Sequence, residues 1–168
     1  MTIRVRPAAE AEYAVAGAIC VAAYRADGQL PPVTEPGTFD YSTTLVDIAG
    51  RSAHADILVA VDDEENLLGC ITFARPGSRY AELSQPDEAE FRMLGVAPDA
   101  QRRGVATALV QACIDLARNT GYRALVICVR DFNDAAKKLY ARFGFVRVPE
   151  LDFVPVPGVN LEALRLEL

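Results

Sequence analysis

The segment best suited to chemistry is Gln101-Arg102-Arg103-Gly104-Val105-Ala106, which lies between an apolar strand-like stretch and a helical one. A helix start leaves about four backbone N–H groups without partners and carries partial positive charge, so an anion placed there is stabilised. Gly104 lets a ligand approach the backbone closely, and Ala106 keeps the first turn thin. The stretch lacks the Lys-Ser/Thr of a nucleotide-triphosphate loop and the three-glycine spacing of a dinucleotide fingerprint. The expected ligand therefore bears phosphate and is neither ATP nor NAD. His54 is the sole histidine and has no Ser or Cys partner pattern nearby, so it reads as a surface or helix-end residue and not as part of a triad. Metal-ligand spacing is absent, and no metal is expected.

These residues need elements to hold them. The alternation in Ile3-Arg4-Val5-Arg6 predicts a strand that Pro7 ends, followed by a helix over 10–25. A loop runs from 27 to about 37, and a second helix is predicted over 40–52. Residues 57–61 and 67–73 flank an acidic turn, the pattern of a hairpin. The polar stretch 75–88 is a long loop and hence a candidate for function. A strand over 90–96 is closed by Pro98-Asp99. Val105, Leu109, Ala112, Cys113 and Leu116 form one face of a helix over 104–119, which Thr120-Gly121 ends. Residues 124–129 are apolar throughout, as in a central strand parallel to the one before it. Asn133 opens another helix and Gly144 closes it, before strands at 145–148 and 164–168. The expected fold class is α/β, one domain over 1–168 with a mixed sheet.

Composition narrows the classes. With 168 residues, 51% of them hydrophobic, one ordinary domain can bury a continuous core. A net charge of −6 argues against a sequence-independent nucleic-acid binder and suits a cationic or neutral partner. Cys20, Cys70, Cys113 and Cys128 lie far apart in apolar stretches and read as buried, reduced thiols of a cytoplasmic protein. The apolar run 14–23 is interrupted upstream by Glu10 and Glu12, and its bulky members fall at helical spacing, so an amphipathic helix is expected there and not a signal peptide. No run is long enough to span a membrane.

The spacing Gln/Arg-x-x-Gly-x-Gly/Ala after a strand resembles the acetyl-CoA pyrophosphate loop of the GNAT superfamily of N-acetyltransferases. Leu94-Gly95-Val96-Ala97-Pro98 looks like the end of that family's fourth strand. Asn133-x-x-Ala136-x-x-x-Tyr140-x-x-x-Gly144-Phe145 is similar to its later Asn, Tyr and Gly-Phe motif. The resemblance covers roughly 89–148. It implies a mixed, mostly antiparallel sheet whose central parallel pair splays at the cofactor site, helices on both faces, and acetyl-CoA as cosubstrate. It further implies that the N–H groups of Arg103, Gly104, Val105, Ala106 and Thr107, with Gln101 beside them, bind the pyrophosphate. Leu94 and Val96 would pair their backbone with the pantetheine arm. Arg102 and Arg103 read either as phosphate contacts or as solvated charges. Tyr140 resembles the family tyrosine that protonates the departing thiolate, a role open to a phenol with an ordinary pKa of about 10. Asn133 serves as helix N-cap, as a contact to the cofactor arm, or as both. Glu90 stands where some protein-lysine acetyltransferases keep a glutamate base, and otherwise reads as an edge-strand charge. Asp115 and Lys137-Lys138 read as solvated, although a lysine there could reach the CoA 3′-phosphate.

The implied activity is transfer of the acetyl group to a primary amine on a small molecule, a protein N-terminus or a lysine, by direct attack in a ternary complex. The protein is expected as monomer or homodimer, with no nucleic-acid or membrane partner. The alternative is a non-catalytic acetyl-CoA sensor. The acceptor is expected between loops 27–39 and 75–88, with Glu82, Asp87 and Glu88 favouring a cationic amine.

Overall fold

The computed structural model describes residues 1–30 and 39–168. Most of the acceptor loop expected over 27–39 therefore lies outside the described residues. The elements in chain order are β1 (Arg4–Pro7), α1 (Tyr13–Ala26), α2 (Tyr41–Val46), α3 (Ile48–Ser52), β2 (Asp56–Val61), β3 (Leu67–Ala74), β4 (Glu88–Val96), α4 (Val105–Thr120), β5 (Ala124–Arg130), α5 (Asp134–Phe143), β6 (Val146–Arg147) and β7 (Leu161–Glu167). The seven strands are ordered β1-β2-β3-β4-β5-β7-β6. β1–β2, β2–β3, β5–β7 and β6–β7 run antiparallel, whereas β4 and β5 run parallel. The fold is thus α/β with a mixed, mostly antiparallel sheet, as the sequence predicts. The parallel ladder is short, running from Glu88↔Ala124 to Glu90↔Val126, so the remainder of β4 lies outside it.

β1 ends at Pro7, which is its last residue. A proline lacks the ladder N–H, and β1 is an edge strand, where that loss is tolerated. The single helix expected over 40–52 is two, because Asp47 leaves the helical region at φ −82°, ψ 72° and its carboxylate accepts the Gly50 N–H at 2.8 Å. An Asp in that geometry caps a new helix.

The chain packs as two compact units, Met1–Phe73 with Met93–Ala112, and Ala74–Arg92 with Cys113–Leu168. In the first, successive residues of β3 face opposite sides. Gly69 faces α4: a Cβ there would stand 3.0 Å from Val105 and 3.2 Å from Leu109. Cys70 faces α1, with its Sγ 3.1 Å from that of Cys20. Helices therefore cover both faces of this strand. Gly95 extends the fit, since a Cβ there would meet the Cys20 Cα at 3.0 Å. In the second unit, β5 and β7 pair along seven residues, and Phe91, Tyr140 and Phe145 form an aromatic cluster with ring centroids 5.8–5.9 Å apart.

Candidate active site

In the first unit, β4 ends in a deliberately irregular backbone. Met93 has φ 57°, a left-handed conformation that costs a non-glycine residue energy. Leu94 and Val96 are half-buried while Met93, Gly95 and Ala97 are buried, so one face of this stretch is left partly open. The Ala97 N–H donates to Leu68 O at 2.8 Å and anchors the strand end. A single 3-10 turn, Pro98–Ala100, then leads to Gln101, which is extended at φ −62°, ψ 152°.

Arg102 follows at φ 62° and Gly104 at φ 86°. Left-handed residues among right-handed or extended ones turn successive N–H groups toward one concavity, the arrangement that binds anions. α4 starts at Val105, and the Ala108 N–H donates to Gly104 O at 2.9 Å as its first turn closes. The N–H groups of Val105, Ala106 and Thr107 precede that bond and have no helical carbonyl to meet. Gln101, Arg102, Arg103 and Gly104 are all exposed. A Cβ built on Gly104 would meet nothing nearer than the Ile3 Cδ1 at 4.0 Å, so the space over the loop is open to a ligand. The Arg103 guanidinium donates to the Met1 Sδ at 2.6 Å, which turns it toward the chain's first residue.

The second unit holds Glu90, Asn133 and Tyr140. Tyr140 is 6% exposed, and its ring is fixed between Phe91 and Phe145. Burial, and secondarily Cys113, pushes its phenol well above the ordinary tyrosine value, so the hydroxyl remains a proton donor. Asn133 is the N-cap of α5, its Oδ1 accepting the Ala136 N–H at 3.1 Å; the side-chain amide is the half left for a ligand. Glu90 is 3% exposed and is no edge charge. Its Oε2 accepts three backbone N–H groups, from Glu82 at 2.7 Å, Leu83 at 2.9 Å and Ser84 at 3.0 Å. The long loop is thereby tied to β4, and Arg92 ties it again through Tyr80 O at 3.1 Å and the Glu82 carboxylate at 2.9 Å.

The charges expected to attract a cationic acceptor are otherwise engaged. Glu88 is fully buried and meets Arg123 at 2.8 Å and Arg165 at 3.0 Å, while Asp87 meets the same Arg123 at 2.8 Å. Those carboxylates neutralise Arg123, just before β5, and Arg165 of β7, and offer little field to a ligand. Lys137, read as solvated, pairs with Glu162 at 2.9 Å. His54 is exposed at the end of α3, as expected. Among the described residues, no group of three or more His, Cys, Asp or Glu could hold a metal, and no helix is long and apolar enough to cross a membrane. Sequence reasoning missed Met93, Gly69 and Gly95. The glycines carried a signal, each sitting inside an apolar strand where close backbone approach is the usual reason; Met93 carried none.

A strand end kinked at Met93, left-handed residues in the following loop and a helix start together suit a phosphate-bearing ligand on an α/β sheet. The model of the acetyltransferase (GNAT) family matches residues 19–145, and the chain belongs to that family. A mycothiol acetyltransferase of Arthrobacter sp. (strain FB24) is 34% identical over 110 residues, which make up 62% of this chain and 33% of the relative. The chain thus matches about a third of the length of that curated relative. Among solved structures, a GCN5-related N-acetyltransferase from Kribbella flavida superposes with a TM-score of 0.70 at 26% identity, covering 99% of this chain and 98% of that one. An acetyltransferase from Salmonella typhimurium, solved with its cofactor acetyl-CoA, has a TM-score of 0.68 at 20% identity and covers 100% and 95%.

Proposed function

We propose that the protein transfers the acetyl group of acetyl-CoA to a primary amine. The observation that carries this reading is the run from Gln101 to Thr107, where two left-handed residues, exposed with open space over Gly104, lead into a helix start. The N–H groups of that helix start fit a pyrophosphate, which presents several anionic oxygens to successive amides. Arg102 and Arg103 add charge beside it. Leu94 and Val96 lie in the part of β4 beyond its parallel ladder, which suits an added strand-like arm, and bound acetyl-CoA would supply the activated acyl group.

The chain's own residues then have three tasks. An N–H near Leu94 donates to the acyl oxygen as charge develops there. Tyr140 holds a proton for the departing sulfur, and Asn133 offers its amide to the cofactor arm while capping α5. Glu90 has one oxygen committed to the loop, so its first task is to hold residues 82–84, and a proton from the amine is taken at Oε1 directly or through a water. An acceptor lysine, with an ordinary pKa of about 10.4, needs such a proton acceptor near neutrality. No covalent acyl-enzyme is required, because attack in a ternary complex benefits from proximity alone.

Calorimetry with acetyl-CoA on wild-type and folded Gly104→Glu protein tests the cofactor half of the proposal. The substitution puts a strained side chain and a negative charge where the pyrophosphate lies, so binding should be lost. Unchanged affinity would remove the loop from the site.

A further inference from the structure

α3 buries an arginine. Arg51 is 1% exposed, its two terminal nitrogens donate to the Thr72 hydroxyl at 2.6 Å and to the Leu45 carbonyl, and its Nε has no hydrogen-bond partner. Among the described residues these partners are all neutral, so the guanidinium charge is buried without a carboxylate. Uncompensated buried charge is costly, and arginine does not relieve it by losing a proton.

The groups that can answer it are sulfur. Cys20 on α1 and Cys70 on β3 are 0% and 1% exposed, with Sγ atoms 3.1 Å apart. Each has a carbonyl in reach of its S–H, Met93 O at 3.3 Å for Cys20 and Ala16 O at 3.4 Å for Cys70. The Cys70 S–H first, then the Arg51 charge, favour the thiolate of Cys20 and bring it down from the ordinary thiol range to about 7, against the opposing effect of burial. The same partner proton keeps Cys70 a thiol, well above its ordinary value. The 3.1 Å separation sets either sulfur to attack the other once one is oxidised, and because both are buried the oxidant reaches them through local opening of the contact between α1 and β3.

We infer that Cys20 and Cys70 form a peroxide-oxidisable dithiol with Arg51 as the counter-ion of Cys20. The Cys20 thiolate attacks a peroxide oxygen: an S–O bond forms, the O–O bond breaks, and the leaving hydroxide takes up a proton. The Cys70 sulfur then attacks the sulfenic sulfur, an S–S bond forms, and water leaves carrying the Cys70 proton. Peroxide gains two electrons and the two thiols lose them. The sulfurs need close by only about 1 Å to reach the ~2.05 Å of a disulfide. The product would staple α1 to β3 and remove the S–H donors of the Met93 and Ala16 carbonyls.

The test is to treat reduced protein with hydrogen peroxide near neutral pH, unfold it, alkylate the remaining thiols, and map cross-linked peptides by mass spectrometry. Two of the four thiols should be lost together, with the Cys20 and Cys70 peptides joined, Cys113 and Cys128 alkylated, and full reversal by dithiothreitol. Arg51→Met should slow the step roughly ten-fold or more by lowering the thiolate fraction, and Arg51→Lys should restore much of the rate. Should Arg51→Met not fold, the wild-type rate against pH decides: it should level off near neutrality. Four intact thiols, oxidation confined to Cys113 or Cys128, or a rate still climbing through the ordinary thiol range would each overturn the inference.

Discussion

Tyr140 and Glu90 divide the proton traffic in the proposed reaction, and each can be tested by removing one atom's function. Tyr140→Phe keeps the ring between Phe91 and Phe145 and loses only the hydroxyl. Acetyl-CoA affinity should stay near wild type while kcat falls, by ~10²–10⁴-fold if the phenol is the general acid; wild-type turnover would assign the proton to water. Glu90→Gln keeps a carbonyl oxygen that can still accept the Glu82, Leu83 and Ser84 N–H groups. The loop should hold, kcat should drop, and the alkaline gain in rate that follows amine deprotonation should become steeper in the pH profile. A pH profile superposable on wild type would leave Glu90 with the loop alone. At this scale much was legible, because Gly104 after a strand and Tyr140 seven residues past Asn133 are local patterns. Glu88 was not: its charge is settled by Arg123 and Arg165, partners that no local window contains.

Among the elements, the cofactor loop is positioned by close backbone approach. β3 lies against the end of β4 and the first turns of α4 because Gly69 has no side chain; a Cβ there would stand 2.7 Å from Gly95 O. Gly69→Ala should therefore destabilise the fold by about 1–3 kcal/mol, the usual cost of overpacking, and weaken acetyl-CoA binding by shifting α4. Urea unfolding together with calorimetry reads both, and an unchanged midpoint would show that the strands can separate freely. Strand and helix types were readable from periodicity, since β5 is apolar on both faces and α4 carries one apolar stripe. The break at Asp47 was readable in principle from a capping residue inside a helical pattern. The left-handed Met93 was not, because methionine neither requires nor advertises that conformation.

For the whole molecule, two carboxylates held low by arginines contribute to the acid sensitivity. Arg6, at 2.7 Å, and the Ala9 N–H hold Glu12 well below the usual carboxylate range, at about 2. Arg147, at 2.7 Å, and the Ala163 N–H hold Asp152 at about 2. In the unfolded chain both titrate at about 4. A depressed folded value means that stability is complete above the unfolded value and is lost as pH falls through the folded one, so unfolding free energy should decline from about pH 5 toward pH 2. The pairs are solvent-screened, so the decline is shallow, and the double variant Glu12→Gln, Asp152→Asn should flatten it. Denaturation midpoints measured across that range check this, and an equally steep decline in the double variant would place the acid sensitivity elsewhere.

Acetyl transfer is measured most directly as release of free CoA from acetyl-CoA by purified protein, with and without a panel of amines that spans small molecules, peptide N-termini and lysine peptides. The predicted result is release that depends on at least one primary amine, yields that amine acetylated by mass, and disappears in Gly104→Glu. Tight acetyl-CoA binding with no amine-dependent release across the panel would contradict it and make the protein a sensor of the cofactor.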